Sequence, residues 1–334
     1  MSALDPVSMR RCPPLLAHVV RDGVVESAHS GDLVVAGPAG EPQFVLGDPD
    51  LAIYPRSAIK PFQALACLSV LNRRPRAAAE LSADALAIAC ASHSGSAEHQ
   101  IEAAHLLALA GLDETALQCP EGLPRDIPAL VDQRGEPTRL AHNCSGKHAL
   151  LAWAQSVAAG DARHYLNPAS AVQLAVRDCL ERVGGSPPAG PGVDGCGAPA
   201  WVMRLRAVAA AFASLAAGDE PGLALVRDAM RARPDLVGDP ASPDTRLMAA
   251  DSRVVAKAGA EAVFGAGFQG PEGAVGIAVK IADGGGRAAA PAVAAALRLL
   301  GATVPEDVLR PRVLGGGSPR GALETAPMLA IWPG

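Results

Sequence analysis

Residues 15–36 read LLAHVVRDGVVESAHSGDLVVA and carry the pattern that decides the fold. Short β-branched runs alternate there with turn signals, Asp-Gly at 22–23 and Ser-Gly-Asp at 30–32. Strand-forming runs separated by such turns are typical of antiparallel hairpins. The sequence therefore predicts antiparallel strands in the N-terminal part of the chain.

Working outward, the pattern changes to helices and then returns to strands. Strand-like runs reappear at 262–268 and 273–284, with a last edge strand predicted at 326–332. The segments with helical spacing lie at 57–71, 97–112, 145–159, 168–184, 198–217 and 289–301, and 82–92 fits either a strand or a helix. This order predicts an α+β fold, with one antiparallel sheet built from both termini and a central helical region at about 75–250.

Composition restricts the class of protein. The chain has 334 residues, 49% of them apolar and 19% charged, with a net charge of −5 and no basic stripe, which argues against nucleic acid as a partner. No apolar run approaches the roughly 20 residues of a membrane helix, and no secretory leader is recognised. Seven scattered cysteines suit a reducing, cytoplasmic location. Residues 1–12 are expected to form a disordered tail and 13–334 a single domain.

Lysine is rare in this chain. Of the 29 basic residues only four are lysines, at positions 60, 147, 257 and 280. An amine can lose its proton in a protein, whereas a guanidinium cannot. The retained lysines are therefore candidates for chemistry that arginine cannot perform, with chance survival as the alternative.

Ser57-Ala-Ile-Lys60 is the one Ser-x-x-Lys sequence of the chain. Residues three apart share a helix face, so the amine can reach the hydroxyl and act as its base if burial or a nearby cation lowers its pKa. Pro61 is tolerated only in a first helical turn, which places the pair at a helix start. The alternative is a capping serine beside a surface lysine.

Two cysteine-containing segments form a second candidate site. Asn143-Cys144-Ser145-Gly146-Lys147-His148 and Asp194-Gly195-Cys196-Gly197 each place a thiol among polar residues. Two thiols with an amine or an imidazole could bind zinc. Buried structural thiols or a redox pair are the alternatives at this point.

The arrangement of motifs is similar to known serine hydrolases. Serine β-lactamases and penicillin-binding proteins combine Ser-x-x-Lys at a helix start with a second serine and a lysine near a late strand. Here Ser92 follows an apolar run, and Lys257 precedes a predicted strand. More specifically, the chain resembles the rhizobial-type L-asparaginases, the asparaginase II family, over about 16–284. The motifs that carry the resemblance are RDGVVESAHSG, YPRSAIKPFQALA, CASHSG, HNCSGKHALLA, DGCGAP and AKAGAEAVF.

This resemblance implies a fold like that of serine β-lactamases, penicillin-binding proteins and one class of glutaminases. It also implies hydrolysis of L-asparagine to L-aspartate and ammonia. The catalytic residues it implies are Ser57, Lys60, Ser92 and Lys257. The substrate-binding residues it implies are Arg56, Asn143, His148 and Asp194. The zinc ligands it implies are Cys144, Lys147 and Cys196. A homodimer is expected, and nothing is carried over to the chain after residue 284.

Two alternatives remain open from the sequence. The first is a glutaminase or another β-lactamase-like amidohydrolase that uses the same residues. The second is a catalytically inactive sensor or binding protein, against which the intact serine and lysine positions argue.

Overall fold

The computed structural model describes residues 12–74 and 79–327. Its strands are β1 (Leu15–Arg21), β2 (Val24–Ala36), β3 (Pro42–Leu46), β4 (Ala52–Ile53), β5 (Ala189–Val193), β6 (Pro199–Arg204), β7 (Val254–Gly259), β8 (Val263–Gly270), β9 (Gly273–Ile281), β10 (Arg312–Gly315) and β11 (Ser318–Thr325). The main antiparallel sheet runs β10-β11-β1-β2-β9-β8-β7, with β3 paired to β2, and β4-β6-β5 form a small second sheet. The predicted sheet built from both ends of the chain is confirmed.

The N-terminal strands differ from the prediction at one turn. Residues 22–23 join β1 to β2 as expected, but the turn predicted at 30–32 is wrong, because β2 continues through it. Gly31 pairs with Ile281 of β9, and a Cβ at Gly31 would lie 2.4 Å from the carbonyl oxygen of Lys280. Glycine allows this close approach of two strands, and the same residue type also signals turns.

Helices fill the centre of the chain. They are α1 (Lys60–Leu71), α2 (Ala83–Ala89), α3 (Ala97–Leu109), α4 (Ile127–Asp132), α5 (Ser145–Ala159), α6 (Ala171–Gly184), α7 (Leu205–Ala217), α8 (Pro221–Ala232), α9 (Pro234–Val237), α10 (Pro243–Ala250), α11 (Ala289–Leu299) and α12 (Glu306–Leu309). Short 3-10 turns lie at Arg56–Ile59, Glu114–Ala116 and Gly286–Ala288. The ambiguous stretch 82–92 contains α2, which Ser82 caps by accepting from the N–H of Ala85.

The predicted helix at 198–217 is a strand followed by a helix. Its first part is β6, which lies between β4 and β5, and its second part is α7. Pairing on both edges overrides the helix propensity of the alanine-rich window.

Part of the predicted organisation falls outside the described residues. The tail at 1–12 does so except for Cys12, and the edge strand at 326–332 does so except for 326–327, which are not in a strand. At that end of the sheet the described chain instead has β11, paired to β1, and the outermost strand β10, and a turn at 316–317 joins the two. Among the described helices, none has the length and apolar character needed to cross a membrane.

Packing of α1 places the Ser-x-x-Lys sequence beside the sheet. Phe62 of α1 makes an edge-to-face contact with Phe212 of α7, with ring centroids 5.4 Å apart. At the edge of the sheet, a Cβ on Gly259 of β7 would lie 2.5 Å from the carbonyl oxygen of Pro55. The 3-10 turn at Arg56–Ile59 therefore lies directly against β7, the strand that carries Lys257.

Candidate active site

Ser57 lies in the 3-10 turn that leads into α1. Arg56 before it has φ +56°, a left-handed conformation that costs energy for a residue with a side chain. Ser57 is half-buried, and within the described residues its hydroxyl makes no hydrogen bond. The tight turn thus presents a free hydroxyl just before α1, and in the described chain no hydrogen bond joins it to Lys60.

Lys60 is almost completely buried, with 1% of its surface exposed. Its Nζ donates to the carbonyl oxygen of Ala91 and lies 3.0 Å from Ser92 Oγ, and no carboxylate of the described chain bonds it. Burial lowers the pKa of Lys60 from its ordinary value, and Lys147 and Lys257 lower it further, while Cys144 offsets part of the effect. Lys60 therefore has the surroundings of an amine that can accept a proton.

Lys257 is equally buried but has a different partner. Its Nζ donates to Asp244 Oδ2 at 3.1 Å and to the carbonyl oxygen of Ala258 at 3.0 Å. Burial raises the pKa of Asp244, but Lys257 and the backbone N–H of Ala258 outweigh this and leave it below its ordinary value. No hydrogen bond joins Lys257 to Ser92 in the described chain, and Ser92 Oγ accepts from Lys60 instead. Asp244 was not predicted, and its Pro-Asp-Thr context carries no signal of this role.

The three predicted zinc ligands converge. Lys147 Nζ donates to Cys196 Sγ at 2.9 Å, and the Cys144 thiol donates to Asn143 Oδ1 at 3.5 Å. The interaction between the two thiols lowers the pKa of Cys144 well below its ordinary value and raises the pKa of Cys196. Burial opposes the charge on Lys147, yet the two sulfurs raise its pKa. Two sulfurs and one amine at one point are a donor set that suits zinc.

Carboxylate and imidazole groups do not add to this donor set. Within 12–74 and 79–327, no group of three or more histidine, cysteine, aspartate or glutamate side chains could hold a metal ion. Any metal at this place would therefore depend on the lysine amine as its third protein ligand. The structure thus brings the three predicted ligands together.

The predicted substrate-binding residues separate into two groups. Arg56 donates through Nε and Nη2 to Asp194 Oδ1, at 3.0 and 2.7 Å, and both residues line the cleft at Ser57. Asn143 lies instead in a second cavity of about 170 Å³ beside His142. His148 is fully buried on α5, away from either cavity lining.

His148 is held by a tyrosine. Tyr165 Oη accepts from the N–H of Gln118 and is hydrogen-bonded to His148 Nδ1, 2.7 Å away. The other ring nitrogen, Nε2, is buried without a partner in the described chain. Burial, reinforced by Lys147, holds the pKa of His148 well below its ordinary value. This histidine is therefore a neutral packing group in the observed arrangement.

The cleft at Ser57 is narrow. Its free volume is about 10 Å³, room for about one water molecule, so it must widen to admit an amino acid. Its lining comprises Arg56, Ser57, Ile59, Lys60, Gln63, Lys147, Asp194, Pro199, Ala200 and Trp201. Gln63 and Trp201 were not predicted as site residues; Gln63 shares the helix spacing of Ser57 and Lys60, which could have pointed to it.

The chain is similar to a known protein family and to solved structures. A model of the L-asparaginase II family matches residues 17–324. The match therefore extends past AKAGAEAVF at 256–264, the last of the motifs noted in the sequence. No curated protein matches. Among solved structures, Mglu in its native form is 16% identical with a TM-score of 0.42, over 78% of this chain and 61% of Mglu. A probable glutaminase from Bacillus subtilis, complexed with 6-diazo-5-oxo-L-norleucine, is 12% identical with a TM-score of 0.41, over 85% of this chain and 88% of that chain. The chain spans about three fifths of the length of Mglu.

Proposed function

Because the chain belongs to the L-asparaginase II family and is an amidohydrolase, we propose that it hydrolyses L-asparagine to L-aspartate and ammonia. The proposed nucleophile is Ser57, and Lys60 is its base. The observation that carries this proposal is the buried Lys60, three residues after Ser57 and without a carboxylate partner in the described chain.

The proposed reaction uses the same base twice. Ser57 Oγ attacks the side-chain amide carbon of asparagine while its proton moves to Lys60 Nζ. Lys60 returns a proton through the Ser92 hydroxyl, 3.0 Å away, to the leaving nitrogen, so that the C–N bond breaks and ammonia departs. Water then gives a proton to Lys60 and attacks the ester, and Lys60 returns this proton to Ser57 Oγ as the C–O bond breaks, which releases aspartate and restores Ser57.

Arg56 and Asp194 are proposed to bind the two charged ends of the amino acid. In the free protein they neutralise each other, with 25% and 19% of their side chains exposed. A zwitterion can replace this pair by placing its carboxylate on Arg56 and its ammonium on Asp194. The exchange opens the narrow cleft and leaves no charge unpaired. Asn143 and His148 stay proposals from the family resemblance, at a second cavity and in the packed interior.

Lys257 is proposed to act on Lys60 rather than on Ser92. Its ion pair with Asp244 keeps a cation near Lys60, which favours the neutral amine.

We also propose that Cys144, Lys147 and Cys196 hold Zn²⁺. A bound Zn²⁺ would supply a fixed positive charge that orients the substrate. The protein is further proposed to be a cytoplasmic homodimer, a state that light scattering on the purified chain measures.

The proposed function is tested by ammonia release from purified full-length protein. We expect turnover of L-asparagine to exceed that of L-glutamine, and no turnover of nitrocefin. Ser57→Ala should abolish turnover, whereas Ser69→Ala on the same helix, where the hydroxyl donates to the carbonyl of Ala66, should keep it. A preference for glutamine would reassign the substrate, and full activity in Ser57→Ala would reject the nucleophile.

A further inference from the structure

Most polar side chains that line the cleft at Ser57 have protein partners. Arg56 and Asp194 bond each other, and Lys147 bonds Cys196. Lys60 bonds a carbonyl and Ser92. Apart from the Ser57 hydroxyl itself, two polar groups of the lining have no hydrogen bond within the described residues: the carboxamide of Gln63 and the indole N–H of Trp201, whose Nε1 is fully buried.

The free carboxamide of Gln63 is an exception among the buried glutamines. Gln63 is 4% exposed and lies on α1, one helical step beyond Lys60. By contrast, Gln155 Oε1 accepts from the N–H of Val172 at 3.1 Å. Gln173 Nε2 donates to the carbonyl of Tyr165 at 2.9 Å, although its Oε1 is buried without a partner in the described chain. A buried amide without a partner costs stability. Because Gln63 lines the cleft, an occupant of the cleft is the source of a partner for its carboxamide.

Trp201 contributes a donor from the opposite element. It lies on β6, is 5% exposed, and its Nε1 is buried without an acceptor in the described chain. An indole N–H can only donate, so an acceptor atom of a molecule in the cleft would pair with it. A carboxamide group and a donor thus line the same cleft as the free hydroxyl of Ser57.

We propose that Gln63 and Trp201 determine specificity by recognising the carboxamide of the substrate. Gln63 Oε1 accepts from the amide N–H of the substrate, and Trp201 Nε1–H donates to an oxygen of the substrate. A carboxylate product has no N–H to offer and would place an oxygen against Gln63 Oε1, so the cleft favours the amide over the acid. This inference rests on the proposed function, because it assumes that the substrate is an amide.

The test compares binding of amide and acid in variants that keep the shape of the cleft. Gln63→Met removes both hydrogen-bonding atoms at similar length, and Trp201→Phe removes the N–H and keeps an aromatic ring. We expect Gln63→Met to raise the KM for L-asparagine about tenfold, the loss of one hydrogen bond of about 1.4 kcal/mol, with kcat within about threefold. Trp201→Phe should raise KM about threefold to tenfold.

Two further readouts separate recognition from a structural role. The ratio of the inhibition constant of L-aspartate to the KM of L-asparagine should fall about tenfold in Gln63→Met, because asparagine loses a bond and aspartate loses a repulsion. The urea concentration at which half of the Gln63→Met protein is unfolded should be unchanged or higher than for wild-type protein, since the substitution removes an unpaired buried group. The matched control Gln155→Met breaks a bond to the backbone, so it should lower stability and leave KM unchanged.

The outcomes are distinct for the two proposals. An unchanged KM and aspartate ratio in Gln63→Met, with wild-type protein active on asparagine, would overturn this inference alone. A fall in kcat without a change in KM would also overturn it, because it would place Gln63 in the chemical step. Wild-type protein that releases no ammonia from asparagine or glutamine would instead reject the proposed function. If glutamine is the better substrate, the same series is run with glutamine.

Discussion

The start of α1 and the strand β7 each bury a lysine, and the two lysines differ in what surrounds them. Lys60 and Lys257 are both 1% exposed. Lys257 meets the carboxylate of Asp244 at 3.1 Å, while Lys60 meets a carbonyl oxygen and the hydroxyl of Ser92. Burying an ammonium is costly unless an anion compensates it. Lys60, the buried lysine without a carboxylate partner in the described chain, is therefore the one suited to be the base.

The largest effect is expected from removing that base. Lys60→Met should lower kcat/KM about 10²- to 10⁴-fold, the usual contribution of a general base. It should leave the free energy of unfolding unchanged or raise it, because an apolar chain replaces a buried amine. Ammonia release and urea unfolding measure the two quantities. Lys280→Met, on β9, is the control that should keep activity; equal losses in both variants would end the distinction between these lysines.

The partner of the other lysine should be needed for stability. Asp244→Asn should lower the free energy of unfolding by about 3–5 kcal/mol, because it leaves a buried cation uncompensated. The double variant Asp244→Asn/Lys257→Met should recover most of this loss. Breaking the exposed Arg246–Asp307 pair by Asp307→Asn should cost no more than about 1 kcal/mol.

Acid should reduce the difference in the free energy of unfolding between wild-type protein and Asp244→Asn. The pKa of Asp244 in the folded protein lies below its ordinary value of 3.8. Its stabilising contribution is therefore complete above pH 3.8 and is lost as the pH falls through the folded pKa. Urea unfolding at several acidic pH values measures this loss. A difference that does not shrink in acid would indicate that the carboxylate is not the stabilising form.

Zinc binding is expected to depend on one cysteine position. Purified wild-type protein should carry about one zinc per chain, as a site with three protein ligands predicts, and Cys144→Ser should carry much less. Cys67→Ser, a substitution in the apolar core, is the control that should keep the metal. Equal zinc content in the two variants, measured by elemental analysis, would remove Cys144 from the site.

The smallest effect is expected in the pH profile. Lys60 acts as a base only when neutral, so kcat/KM should fall as the pH drops through its pKa, which lies below the ordinary 10.5. The nearby Lys257 lowers that pKa. The variant Asp244→Asn/Lys257→Met should therefore shift this fall in kcat/KM, the acidic limb of the pH profile, to higher pH. Lys280→Met should leave it in place, and a limb that does not move in the double variant would rule out coupling between the two lysines.

The sequence predicts the parts of this site that depend on local spacing. Ser57 and Lys60 are one helical step apart, and the rarity of lysine directs attention to positions 60, 147 and 257. Motifs separated by many residues were assigned by resemblance, and the structure brings Cys144 and Cys196 together. The partner of Lys257 could not be predicted, since Asp244 approaches it only when α10 packs on β7.

The fold was predicted in the same uneven way. Hydrophobic periodicity identified α5 at its observed bounds, 145–159, because its pattern is long and regular. It failed at 198–217 and 30–32, where strand pairing between distant segments decides the structure. The sequence also did not predict that the polar groups of Gln63 and Trp201 line the cleft without partners in the described chain, because this depends on how distant segments pack.

Lysine NMR tests most directly whether Lys60, the proposed base, loses its proton more readily than an ordinary lysine. The protein has four lysines, so selectively labelled lysine gives few signals, and Lys60→Met identifies the one that belongs to Lys60. The account predicts that this signal titrates below the ordinary lysine pKa of 10.5. A Lys60 signal that titrates at or above 10.5 would contradict its role as the base.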